Sequence, residues 1–285
     1  VVYGVIQSGV DVILHSRAET IEELKKMRRS KYLQSDTGYI YRQVKMDLNN
    51  GRDVLFTGTG CQIAALFSFL KKKYDNLYTC DVVCHGVPSD RVWRQYREEK
   101  QKSETKVIQD LNFRDKTKGW SKNQYCITYE DGTEEREWIG TQLFHAGYLE
   151  GLFLRPSCGS CKFAKIPRKS DITLADYWKY RGKFIDEYGD LGVSLIVVNN
   201  PHGGVLLNKC HEYLELEQSS EQLALQSCRH LWNTPIESPW RNNFFALFYA
   251  KGYYVAAQKY IGYNPILYRI KNKISRILNS RSNED

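Results

Sequence analysis

Apolar and polar positions along the first ninety or so residues alternate between two periods. Val1 to His15 reads as a strand pair turning at Gln7-Ser8-Gly9, and Thr20 then opens a helix with Ile21, Leu24 and Met27 at helical spacing. Asp36 is placed to cap a second helix whose buried stripe is Ile40, Val44 and Leu48, ended by Asn50-Gly51. Asp53 to Thr57 reads as a buried strand running through Gly58-Thr59-Gly60-Cys61-Gln62 into a helix from Ile63 to Leu70. A further strand, Leu77 to Val83, delivers Cys84 and His85 just before the Gly86-Val87-Pro88-Ser89 turn. Strands alternating with helices argue for an α/β architecture with ligands at the carboxyl ends of the strands.

The pattern changes over residues 106–140. Val107 to Arg114 and Gln124 to Tyr129 alternate like antiparallel strands, and Asp131-Gly132 is a hairpin turn. Helical spacing returns near Gln142 to Leu152, Arg155 to Phe163 reads as a tight loop, and Asp171 to Asp176 and Gly192 to Val198 read as strands. The fold class expected is α/β: a mixed sheet with flanking helices, an antiparallel β insertion and a helical C-terminal tail. The division expected is a main domain over 1–236 and a basic, aromatic-rich appendage over 237–285.

Composition narrows this only slightly. An apolar share of 42% and a charged share of 26% are ordinary for a globular chain, and no apolar run approaches the roughly 20 residues of a membrane span. The net charge of +8 concentrates at Lys25 to Lys31, Lys71 to Lys73 and the last 20 residues. It favours anionic partners such as phosphate cofactors, acidic electron carriers or anionic lipid, and nucleic acid is not expected. Eight cysteines are too few for a disulfide scaffold and no secretory leader is visible, so a cytoplasmic location with metal or redox use of cysteine is expected. The sequence opens at Val1, already inside a strand, so an upstream portion is expected.

Cys158-Gly159-Ser160-Cys161 is the sharpest local signal, because two thiolates two residues apart can serve one metal or cluster from a single turn. A thioredoxin-like use would place the pair at the start of a helix directly after a strand, and here a proline-containing loop precedes it. Cys80 and Cys84 lie on one strand about 13 Å apart, too far to share one ion. Cys61, by contrast, falls in the first turn of a helix, where free amides and the helix dipole favour an anionic ligand, and Cys84 ends a neighbouring strand. Four thiolates thus meet at one sheet edge, and spacing leaves zinc and an iron–sulfur cluster level. Gly58-Thr59-Gly60 lacks both the third glycine of a dinucleotide fingerprint and a Walker lysine, although its basic neighbour Ser30-Lys31-Tyr32 is compatible with a phosphate or flavin site. His85 is a candidate proton donor.

The stretches Arg29 to Asp36, Val54 to Ala64, Asp81 to Ser89, Phe113 to Trp120, Arg155 to Phe163 and Ser170 to Trp178 occur in that order. Through them the chain resembles the C-terminal domain of the coenzyme F-420 hydrogenase/dehydrogenase beta subunit family. The resemblance implies an oxidoreductase or electron-transfer subunit with a 4Fe-4S cluster on Cys61, Cys84, Cys158 and Cys161. It also implies FAD lined by Ser30, Lys31, Tyr32, Gln34, Gly58, Thr59, Gly60 and Gln62, and exchange with coenzyme F-420, ferredoxin or another redox partner. The motif style is similar to that of members near bacterial surface-polysaccharide genes. The rival reading is a zinc-stapled, non-catalytic binding module in polysaccharide biosynthesis. In the tail, Ile266, Ile270, Ile274, Ile277 and Leu278 stripe one side against Arg269, Lys271, Lys273 and Arg276, a pattern suited to a membrane surface or to packing on its own domain.

Overall fold

The computed structural model describes residues 1–261. Strand β1 (Val2–Ser8) turns back as β2 (Val12–Ala18), followed by helices α1 (Ile21–Lys26) and α2 (Ile40–Asn49). Next come β3 (Val54–Thr59), α3 (Gly60–Leu70), β4 (Leu77–Val82) and α4 (Asp90–Glu104). The insertion comprises β5 (Ile108–Asp115), β6 (Gln124–Tyr129) and β7 (Glu134–Trp138). Helices α5 (Leu143–Leu149) and α6 (Pro156–Gly159) lead to β8 (Ile172–Asp176), α7 (Lys183–Tyr188) and β9 (Ser194–Val198). Helices α8 (Pro201–Cys210), α9 (Glu221–Ser227), α10 (Arg241–Lys251) and α11 (Tyr253–Tyr260) complete the described chain.

Six strands form a mixed sheet in the order β2-β1-β3-β4-β8-β9, and β5-β6-β7 form a separate antiparallel sheet. The four central strands run parallel while β2 and β9 are antiparallel edges, so the carboxyl ends of β1, β3, β4 and β8 share one side. The α/β expectation holds.

Local chemistry explains most boundaries. Thr20 caps α1 through Glu23, and the α2 stripe of Ile40, Val44 and Leu48 packs with Ile63, Leu66 and Leu70 of α3 against Val54 and Phe56. Each such fully buried side chain contributes roughly 1.5–3 kcal/mol of burial. Three details differ from the sequence reading. The first hairpin turns at Gly9 to Asp11, since Ser8 pairs with Val12 and Gly9 takes the positive φ of 66°. Asp36 does not cap α2: it bridges to Leu14 and accepts from the Gly38 amide, and Tyr39 holds the cap position. Pro156 starts one helical turn where a loop was expected, because its missing N–H is harmless there.

Residues after 236 read as an appendage, yet α10 and α11 belong to the largest core. Phe244, Phe248, Tyr253, Ala256 and Ala257 pack among Trp93, Tyr96, Phe144 and Phe153. Glu99 of α4 accepts from the Tyr253 and Tyr254 amides at 2.7 and 2.9 Å and so caps α11. The apolar stripe from Ile266 to Leu278 lies outside the described residues. Among the described residues no helix is long and apolar enough to cross a membrane.

Candidate functional site

Three segments bring cysteines to the carboxyl edge of the sheet. β3 runs straight into α3, whose first turn exposes Cys61, and the Thr59 hydroxyl lies 3.0 Å from the Cys61 sulfur. β4 ends two residues before Cys84, while α6 carries Cys158 and is followed at once by Cys161. The second and third segments are tied through the backbone. Pro88 bridges Leu154, the Ser89 amide donates to Phe153 at 2.7 Å, and the Arg155 amide donates to Val87 at 2.7 Å.

The Gly86 N–H donates to Cys84 Sγ at 3.3 Å, and the Val87 backbone opposes the rise of the Cys158 thiol. Gly86 has φ +110°, and a Cβ there would stand 3.3 Å from Cys158 Cβ and 3.3 Å from Leu154 Cδ2. Only glycine fits without displacing the Cys158 segment. Gly86→Ala is therefore expected to lose about 1–3 kcal/mol of stability, read by urea unfolding.

The four thiols feel one another. Burial pushes the Cys84 thiol up to about 12, the Gly86 amide opposes this, and Cys158, Cys61 and Cys161 each push it further up. Burial likewise raises Cys158, to which Cys161 and Cys61 add. Residues 155–169 hold Arg155, Lys162, Lys165, Arg168 and Lys169 and no acidic residue, and all but Arg168, which pairs with Asp81, are available to offset thiolate charge. Among the described residues no three His, Cys, Asp or Glu side chains are placed to hold a metal ion, while Cys158, Cys61 and Cys161 each lie near enough to Cys84 to bear on its thiol.

The remaining cysteines stand apart. Cys80 is pushed up to about 12 by burial and then by Asp81 and Asp171, without a contribution from the other cysteines. Cys228 donates to the Asp176 carbonyl at 2.9 Å, and Cys126 is buried in β6. A thiol whose folded pKa exceeds its unfolded value holds its proton in the fold and loses it on unfolding, so stability falls as pH rises above the unfolded value near 8.5. Cys80→Ala should remove up to about 1.4 kcal/mol per pH unit of the decline between roughly pH 9 and 12. Urea midpoints of the two proteins across that range measure it.

Sequence reasoning missed the group that locks the cysteine segments together. Asp81, buried in β4, accepts from Arg168 Nε at 3.0 Å and Nη2 at 2.5 Å, from Ser170 Oγ at 2.8 Å and from Thr173 Oγ1 at 2.5 Å. Gly60 leans on the same pair, because a Cβ there would meet Asp81 Oδ2 at 3.1 Å and Arg168 Nη2 at 3.4 Å. One ion pair thus fixes the turn before Cys61, the strand before Cys84 and the loop after Cys161. The legible signal was Asp81 itself, a charge at an inward position of a buried strand.

The other candidate residues are engaged within the chain. Lys31 Nζ donates to the Met27, Arg28 and Arg29 carbonyls, and burial with Arg29 nearby lowers it to about 8. Tyr32 packs edge-on to Phe113 and His145 and tilted to Tyr148, and Gln34 donates to the Ser35 carbonyl. Gln62 accepts from the Thr59 amide at 2.9 Å and donates to Ser35 Oγ at 2.8 Å, while Gly58 backs onto Gln62 and His15. His85 Nε2 lies 3.2 Å from the Leu149 carbonyl, and its Nδ1 lies 2.9 Å from His230 Nε2. Burial and His230 lower His85 to about 4.

The family model for the C terminus of the coenzyme F420 hydrogenase/dehydrogenase beta subunit matches residues 51–222, a span that contains all four converging cysteines. The chain belongs to this family. Family membership makes a redox, electron-transfer role the coarse function of the chain. A chain from the xenon-derivatised F420-reducing [NiFe] hydrogenase complex of Methanosarcina barkeri is similar at 14% identity and a TM-score of 0.49. The similarity covers 81% of the present chain and 76% of that one. No curated protein matches the sequence.

Proposed function

We propose that the protein is an iron–sulfur electron-transfer subunit in which Cys61, Cys84, Cys158 and Cys161 hold one 4Fe-4S cluster. What supports this reading is the placement of Cys61, Cys84 and the Cys158/Cys161 pair on three segments tied by the Pro88–Leu154 bridge and the Asp81–Arg168 pair. When bound, the cluster supplies one-electron chemistry, and the chain's own groups set where and at what potential. The Gly86 amide, the Val87 backbone and the basic 155–169 loop favour the more negative, reduced state. Exposed Cys61 places one corner within reach of a partner, and the basic loop suits an acidic electron carrier such as a ferredoxin.

A flavin would belong on the same rim, along Ser30, Lys31, Tyr32, Gln34, Gly58, Thr59, Gly60 and Gln62. In the described conformation Lys31, Tyr32, Gln34 and Gln62 are engaged by protein partners. Anaerobic reconstitution of the wild type and of Cys158→Ala and Cys80→Ala tests the proposal by visible absorption and iron content. Brown, iron-loaded wild type and Cys80→Ala beside a pale Cys158→Ala are expected. Equal iron in all three proteins would remove the basis for it.

A further inference from the structure

On the far side of the sheet from β2, the edge strand β9 faces an open cleft of about 860 Å³. Its walls are two stretches of backbone: Gly192 to Val198 on one side and Leu214 to Glu221 on the other, over a floor that includes Tyr177, Tyr180, Phe184 and Leu231. Bonds from the Tyr177 amide to Val193 and from the Asn199 amide to Asp171 fix the odd-numbered β9 residues as those paired with β8. Ser194, Ile196 and Val198 therefore point their N–H and C=O groups into the cleft, where no backbone partner meets them among the described residues.

The opposite wall is held extended by its side chains. Tyr188 donates to Glu215 and Tyr180 to Glu217, each at 2.5 Å, and Tyr177 bonds Ser219, a ladder of alternate residues. Leu214 and Ser220, at the ends of this segment, both have extended backbone. Between Cys210 and Cys228 the chain carries Glu212, Glu215, Glu217 and Glu221 and no lysine or arginine. Exposed apolar surface adjoins this acidic wall at Val198, Leu214 and Leu216.

We propose that this cleft receives an extended segment of a partner protein, alternating basic and apolar residues, which adds to β9 as an antiparallel or parallel seventh strand. Main-chain bonds to Ser194, Ile196 and Val198 supply the affinity, and the glutamates select lysine or arginine. The cleft is separate from the cysteines, so the inference stands independently of the cluster.

Amide hydrogen exchange of the full chain, with and without a synthetic peptide of about ten residues alternating valine and lysine, tests it. The Ser194, Ile196 and Val198 amides should exchange freely in the protein alone and slow about tenfold or more with the peptide at up to about 1 mM. A valine–glutamate peptide should leave them unchanged. Ile196→Pro removes only an outward N–H and should abolish the effect. The double variant Glu215→Gln, Glu217→Gln keeps the tyrosine bonds and every β9 amide, and should weaken peptide binding about tenfold at low salt. Protection of these amides in the peptide-free protein would mean that the chain itself or a second copy fills the cleft, and would overturn the proposal. So would equal protection by the acidic peptide, or none by the basic one.

Discussion

Asp81→Leu is expected to destabilise the cluster-free protein by roughly 3–5 kcal/mol in urea unfolding at neutral pH, and to prevent cluster assembly. The substitution leaves the Arg168 guanidinium buried without its carboxylate, and the Ser170 and Thr173 hydroxyls without their acceptor. Arg168 also reaches the Leu231 carbonyl, at 3.4 Å, which is too long to compensate. Arg168→Leu should cost a similar amount for the converse reason. Asp81→Asn, which keeps the size and two acceptor lone pairs, should cost less and leave part of the cluster-loading capacity. If the ion pair were a passive core feature, all three variants would lose stability yet load iron normally once folded. Iron content of the folded fraction separates the two outcomes.

The four cysteine substitutions are expected to differ among themselves in a way that follows from burial. Cys84 is half-buried and its sulfur is met by the Gly86 amide, so Cys84→Ala leaves a corner less open to solvent than that of Cys61. Iron should fall about tenfold or more, since a three-thiolate core lacks its fourth ligand. Cys61 is exposed in the first turn of α3, so Cys61→Ala should retain a labile cluster that added small thiols stabilise. Equal loss in both variants, with no rescue by thiol, would contradict the exposed-corner geometry.

Much of the frame was legible because it rests on short-range signals. The stripe Ile40, Val44, Leu48 and the strand Val54 to Thr57 announce themselves by period and burial, and Gly58-Thr59-Gly60 marks the strand-to-helix turn. The convergence of Cys61 and Cys84 followed from neighbouring parallel strands. The Arg168–Asp81 lock was not legible, because it joins residues 87 positions apart and its arginine sits in an irregular loop with no period to read. The aromatic tail read as an appendage for a similar reason: Phe244 and Phe248 declare an apolar face, but only the fold shows that α4 and α5 receive it. The cleft beside β9 was invisible, since Leu214 to Ser220 is extended without being paired.

Iron, acid-labile sulfide and zinc measured on one anaerobically reconstituted sample, with EPR after dithionite reduction, separate a 4Fe-4S cluster from a zinc site. About four irons and four sulfides per chain, a half-integer-spin signal from one reduced cluster, and loss of both in Cys84→Ala are expected. One firmly held zinc per chain with no EPR signal, or iron that persists undiminished in Cys84→Ala, would contradict the cluster assignment.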